Sequence, residues 1–170
     1  MIKIIGIVLV AFATTLLGFS RSNEYIRRIR YLKSIENCII RIENEIRYIQ
    51  LPLTDIFYNC SKCENEIVSA IFKDAHNLLK THSGETIENL WKLSVIKNEK
   101  RIHTDDISLF ISLGEQLSYT DVDGQLKALK LFEHNLAETI SNVETLYNNN
   151  KKLYRWLGFY SGATIILIFI

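Results

Sequence analysis

Proline is nearly missing from this chain. Among 170 residues there is a single one, Pro52, and only seven glycines accompany it. Proline removes a backbone donor and glycine weakens a helix, so their scarcity favours long helices joined by few turns. The glycines, at 6, 18, 84, 114, 124, 158 and 162, never cluster, which excludes a loop whose backbone amides cradle a phosphate. No G-x-S-x-G elbow is there to present a nucleophile. Histidine offers no metal spacing: His76 and His82 are six apart rather than four, and His103 and His134 stand alone. A lone histidine on a polar helix reads as solvated. An excess of one charge is lacking too. With 20 Lys and Arg against 19 Asp and Glu the net charge is +1, so no global field recommends nucleic acid as a partner. These absences point to an all-α protein that is not an enzyme and needs neither cofactor nor metal.

What the chain does possess is two apolar ends. Residues 1–20, MIKIIGIVLVAFATTLLGFS, carry one charged side chain, Lys3. At about 1.5 Å per residue they make a helix of roughly 30 Å, the thickness of a bilayer's hydrocarbon core. Each central Ile, Val, Leu or Phe favours insertion by about 0.3–0.6 kcal/mol, so the run as a whole inserts readily. A cleavable signal peptide is the rival reading, with Ala11-Phe12-Ala13 as the cleavage site. The apolar run continues through Thr14 to Phe19 beyond that site, which favours a retained anchor. At the far end WLGFYSGATIILIFI, residues 156–170, has no charge, and Ile165 to Ile170 shows no polar face. Residues 1–20 and 156–170 are therefore expected to be transmembrane helices, with 21–155 between them.

Orientation follows from the flanks. Arg21, Arg27, Arg28, Arg30 and Lys33 follow the first apolar run, and Lys151, Lys152 and Arg155 precede the second. Lys and Arg enrichment marks the cytoplasmic side, and both clusters face the intervening segment. The expectation is a multi-pass membrane hairpin in the lipid bilayer, with residues 21–155 in the cytoplasm. In that reducing compartment Cys38, Cys60 and Cys63 do not form a disulfide framework. Cys60-Ser61-Lys62-Cys63 has C-x-x-C spacing, but no second pair completes a zinc site.

Between the ends, apolar periodicity gives helices throughout. Leu32, Ile35, Ile39, Ile42, Ile46 and Ile49 follow a 3-4-3-4-3 seam on one helical face. Leu51-Pro52 stops that helix, because proline pushes its predecessor towards an extended conformation and opens the next helix instead. Leu53, Ile56, Phe57 and Cys60 form a short apolar face. Helices are then expected over Glu64 to Lys80, Thr86 to Ile96, and from the His103-Thr104-Asp105 cap through Leu117. A last, longest helix starts near Val122 or Gly124 and places Leu129, Phe132, Leu136, Ile140, Val143 and Tyr147 inward. The sum is a bundle of about six helices, the two long outer ones continuous with the membrane segments.

Glu43 and Glu45 lie two apart, so their side chains diverge by about 200° and cannot work as one acid–base pair. Glu43 with Arg47, at i and i+4, reads instead as an exposed ion pair. In the apolar ends, Gly158 and Gly162 form G-x-x-x-G, while Ala11, Thr14 and Gly18 share a face. Small residues so placed allow close helix contact in lipid.

Two stretches carry a family resemblance. IENEIRYIQLPLTDIF, residues 42–57, resembles the L-E-x-E-I-x-Y-x-x-x-P-L signature of the stage III sporulation protein AB family. SLGEQLSYTDVDGQLKAL, residues 112–129, resembles a second block, with Leu113-Gly114, Asp121, Gln125 and Lys127 at the matching positions. Trp91, the arginine-rich exit from the first apolar run and the short apolar tail also fit. Leu51 departs from the pattern, standing where a small polar residue is usual.

The resemblance implies a membrane protein of the mother cell, made during engulfment in endospore-forming bacteria. It implies a place in a secretion-like complex, with a cytoplasmic domain similar to the inner-membrane platform protein of type II secretion and type IV pilus machines. The implied partners are the ATPase, stage III sporulation protein AA, and other membrane proteins of that complex; a homo-oligomer is compatible with this. On this reading Glu43, Glu45, Tyr48 and Pro52 either brace a corner or present it to a partner, and Asp121, Gln125 and Lys127 form a second candidate patch. The alternatives are a two-span scaffold or pilus-type platform outside sporulation, a redox protein using Cys60 and Cys63, and a receptor with little sequence outside the membrane to sense anything. Replacing Gly158 and Gly162 by Leu should impair assembly in the membrane. Unchanged recovery of the complex from the double variant would remove the packing role.

Overall fold

The computed structural model describes the backbone of all residues except 1, 83, 120 and 170, and the side chains of residues 23–150 apart from 83 and 120. Among the described residues six α-helices follow one another: α1 (Ile2–Asn44), α2 (Leu53–Cys60), α3 (Glu66–Thr81), α4 (Ile87–Lys97), α5 (Thr104–Leu117) and α6 (Val122–Phe169). A π-helical turn, Glu45–Ile49, extends α1, and a 3-10 turn, Glu99–Arg101, follows α4. No strand occurs among the described residues, so the expected all-α architecture of four short helices between two long ones is the one adopted. The membrane hairpin is not established in the same way. Among the described residues no helix is long and apolar enough to cross a membrane. The expected spans at 1–20 and 156–170, with Ala11, Thr14, Gly18, Gly158 and Gly162, lie outside the residues whose side chains are described. Arg30–Ile140 forms one compact unit, and Met1–Ile29 with Ser141–Ile170 forms another.

Local chemistry fixes where the short helices begin. Asn65 caps α3, its side chain accepting from the amides of Ile67 at 3.1 Å and Val68 at 3.2 Å. Thr86 caps α4 by accepting from Asn89 at 3.3 Å. His103, one of the three expected cap residues, accepts from Asp105 at 3.4 Å and opens α5. Such contacts satisfy amides that have no partner within the helix and are each worth about 1 kcal/mol. In the turn between α3 and α4, Gly84 has φ +115°, a conformation that other residues rarely adopt.

The first seam is buried from Leu32 through Ile46, joined by Tyr31 and Cys38, but Ile49 is 61% exposed. The π-helical turn is the reason: its wider ring inserts an extra residue, so the 3-4 rhythm fails at the step from Ile46 to Ile49. On α6, Leu129, Phe132, Leu136, Ile140 and Val143 are buried as their spacing predicts, while Tyr147 is only half-buried. The buried face of α3 consists of Ile67, Val68, Ile71, Phe72, Ala75 and His76. His76, which the sequence marked only as lacking a metal-binding neighbour, is a core residue. It is 8% exposed, its Nδ1 lies 2.8 Å from the carbonyl oxygen of Thr54, and its ring packs 5.3 Å from that of Tyr58. Since a carbonyl only accepts, Nδ1 carries the hydrogen.

At the centre, Trp91 of α4 packs against Phe57 of α2 at 5.5 Å and Phe72 of α3 at 5.0 Å between ring centroids. Its indole N–H donates to the carbonyl oxygen of Phe110 in α5 at 2.6 Å. That carbonyl is reachable because the residue one turn later is Gly114. Helical Cβ atoms lean towards the helix N-terminus, and a Cβ here would stand 2.8 Å from Trp91 Cδ1. The indole is a rigid ring, so it cannot retreat as a flexible chain end would. Gly114→Ala should destabilise the bundle by about 1–3 kcal/mol through overpacking. The measurement is thermal unfolding of the full chain in detergent, and an unchanged melting temperature would show that the core has room to spare.

Candidate functional site

The corner after α1 is built from backbone first. The carbonyl of Glu45 accepts from the amides of Gln50 and, at 3.4 Å, Leu51. Gln50 takes the left-handed conformation at φ 53° needed to close this wide turn, a strain of about 1 kcal/mol for a residue with a Cβ. Pro52 then stands as the cap of α2 at φ −58°, and its carbonyl accepts from Asp55 at 2.9 Å and Ile56 at 3.1 Å. Its missing donor costs nothing at that position.

The side chains of the corner diverge. Both carboxylate oxygens of Glu45 accept from Asn59 Nδ2 of α2, at 3.1 and 3.2 Å, and Arg41 donates to the Asn59 carbonyl at 3.0 Å. Asn59 thereby ties the end of α1 to the end of α2. Tyr48, by contrast, is 75% exposed beside Ile49, and Pro52 is exposed too. Glu43 faces another way. It is half-buried, with Oε1 shielded from solvent and without a hydrogen-bond partner. Burial raises its pKa above the ordinary 4.5, and Glu133 of α6 raises it further, while Lys130 and Arg47 pull it down. The exposed Glu43–Arg47 pair expected from the i, i+4 spacing is not formed: Glu43 is turned inward, and Arg47 reaches it only as one of several surrounding charges.

The second patch is a joint between α5 and α6. Asp121 accepts from the Gly124 amide at 2.7 Å, capping α6, and a Cβ on Gly124 would meet the Asp121 carboxylate at 2.6 Å. Gln125 is buried and donates to the Leu117 carbonyl at 2.9 Å, closing the end of α5. Lys127 is exposed. Asp121 and Gln125 are thus brought together by the turn, and Lys127 is left on the surface.

Two clusters escaped sequence reading. The Tyr31 hydroxyl of α1 donates to Asp106 in the first turn of α5 and accepts from the His103 amide at 3.1 Å, with both side chains buried. The signal available was an aspartate at an inward position of the series Ile102, Asp106, Phe110, Leu113. The three cysteines also converge. Cys38 and Cys60 place each sulfur near the other's carbonyl oxygen, at 4.0 and 3.8 Å, and Cys63 contacts the Asn65 carbonyl at 3.6 Å. The Cys60 thiol, with burial, pushes Cys38 up to about 12; Cys38 and burial push Cys63 up as well. Thiols so raised stay protonated near neutrality and are poor nucleophiles. Among the described residues no group of three or more His, Cys, Asp or Glu is arranged to hold a metal ion.

These features define an all-helical bundle whose polar clusters join its own elements. The comparisons give the family. The profile for stage III sporulation protein AB matches residues 3–170, and the chain belongs to that family. It is similar to stage III sporulation protein AB of Bacillus subtilis (strain 168), 26% identical over 170 residues and covering 99% of each chain. A solved structure of stage III sporulation protein AB (SpoIIIAB) shares the fold at a TM-score of 0.66 and 21% identity, over 72% of this chain and 97% of that one.

Because the folded chain holds the Glu43 proton more tightly than the unfolded chain, ionised Glu43 weakens the fold. That penalty is full above the folded pKa and fades as pH falls through it towards 4.5. Glu43→Gln should therefore raise the melting temperature near pH 8. The gain should be below about 1 kcal/mol, since the group is half in solvent, and the two proteins should melt alike near about pH 4. Equal melting at both pH values would refute the strain.

Proposed function

We propose that this chain is a non-catalytic platform protein of the mother-cell membrane, in the secretion-like complex that links mother cell and forespore. Its apolar ends, residues 1–20 and 156–170, form a membrane hairpin, and residues 21–155 stand in the cytoplasm. There the bundle couples the ATPase, stage III sporulation protein AA, to the channel components. The observation that carries this reading is the family match over residues 3–170, which takes in both apolar ends as well as the bundle. It weighs against a pilus-type platform outside sporulation. The raised pKa of Cys63, pushed up by Cys38 and burial, weighs against redox chemistry at the Cys60 and Cys63 pair. At the corner, the bonds from Glu45 and Arg41 to Asn59 support bracing, and the exposure of Tyr48 supports presentation to a partner. The two roles fall on different side chains of one turn.

The test is topology together with recruitment. Single cysteines placed at the exposed positions Lys73 and Lys127 should react with a membrane-impermeant maleimide only after the mother-cell membrane is permeabilised. The ATPase should sediment with membranes only when this chain is present. Labelling of intact cells would sink the topology, and ATPase recruitment that persists without this chain would sink the coupling.

A further inference from the structure

The outward face of α1 is as regular as its buried seam. Arg30, Lys33, Asn37, Ile40, Asn44 and Arg47 recur at 3-4-3-4-3 spacing, and all six are exposed. Arg41 adds a further exposed cation beside Ile40, held in place by the Asn59 carbonyl at 3.0 Å. No acidic side chain is exposed between residues 30 and 49: Glu36, Glu43 and Glu45 are all half-buried. Glu45 is engaged with Asn59, and Glu43 sits in the field of Glu133 and Lys130. The stripe therefore carries charge of one sign over about 25 Å of helix, on a chain whose net charge is only +1. General basicity does not explain it.

Large apolar side chains are set into the same face. Ile40 is 44% exposed, Tyr48 75% and Ile49 61%. A merely solvated helix face mixes both signs of charge at i, i+4 and omits such residues. Arginine and tyrosine beside aliphatic anchors are the chemistry of a protein–protein hot spot. A second copy of this chain is a poor occupant, since two like-charged stripes repel. Nucleic acid, with a charge about every 1.7 Å of duplex axis, calls for a denser array of cations and no such apolar anchors.

We propose that the outward stripe of α1, from Arg30 to Ile49, is the docking face for an acidic protein surface, with Ile40, Tyr48 and Ile49 entering its apolar centre. The proposal rests on the platform reading for the existence of a partner and adds the face used and the partner's charge. A photocrosslinking residue at Asn37 or Asn44 of the full chain in sporulating cells should capture a partner peptide rich in Asp and Glu. Reversing Arg30, Lys33 and Arg47 to Glu should lower that yield by about tenfold or more, and converting the captured acids to Lys should restore it. Should the reversal variant melt early, Tyr48→Ala with Ile49→Ala makes the same test, as both side chains are exposed. No capture, capture of lipid, nucleic acid, a basic peptide or a second copy, or a yield indifferent to charge reversal, overturns the proposal. An acidic partner other than the ATPase would sink the coupling reading and keep the stripe. ATPase recruitment that survives charge reversal with nothing captured would do the opposite.

Discussion

Trp91 lies where the four short helices meet, and its indole meets two demands at once. Its faces fill the space between Phe57 of α2 and Phe72 of α3, and its N–H finds the Phe110 carbonyl of α5. A buried indole without that acceptor would leave an unpaired donor in an apolar core. The acceptor is open because Gly114 has no side chain to cover it. One large residue and one missing Cβ therefore set the spacing of α2, α3, α4 and α5, and the caps at Asn65, Thr86 and His103 fix where three of those helices begin.

Around that centre, polar groups act as joints. Asp74 of α3 holds Lys97 at 2.7 Å and Asn98 at 2.9 Å, pinning the end of α4. Asn59 ties α1 to α2, Gln125 closes α5 against the start of α6, and Tyr31 reaches Asp106 from α1 to α5. Apart from the exposed Lys97 these are buried or half-buried groups with satisfied bonds, and such bonds fix register more than they add stability. Cys38 and Cys60 belong to the same pattern: compact side chains set between α1 and the end of α2.

The division of labour along α1 gives the bundle its functional character. Its inward seam holds the fold, Glu45 is turned towards α2 and Glu43 towards α6, and its outward stripe is left basic and apolar. The π-helical turn belongs to this arrangement, because the extra residue removes Ile49 from the core and sets it beside Tyr48. An aliphatic residue lost to the core becomes part of a surface that suits a partner.

The sequence by itself determined the helices. Scarce proline and glycine, 3-4 periodicity and cap residues are local properties, and they placed six helices with boundaries close to those observed. The family signature was legible too, since it is written in consecutive residues. Tertiary structure alone decided what those residues do. Glu43, Glu45 and Tyr48 read as one corner motif, yet they point to α6, α2 and solvent, because successive helical side chains diverge and only the packed neighbours say what each will meet. Asp106 and Tyr31, 75 residues apart in the chain, and the buried His76 bonded to Thr54 escaped for the same reason. Periodicity tells which way a side chain faces, but a contact between distant segments exists only once the chain has closed on itself.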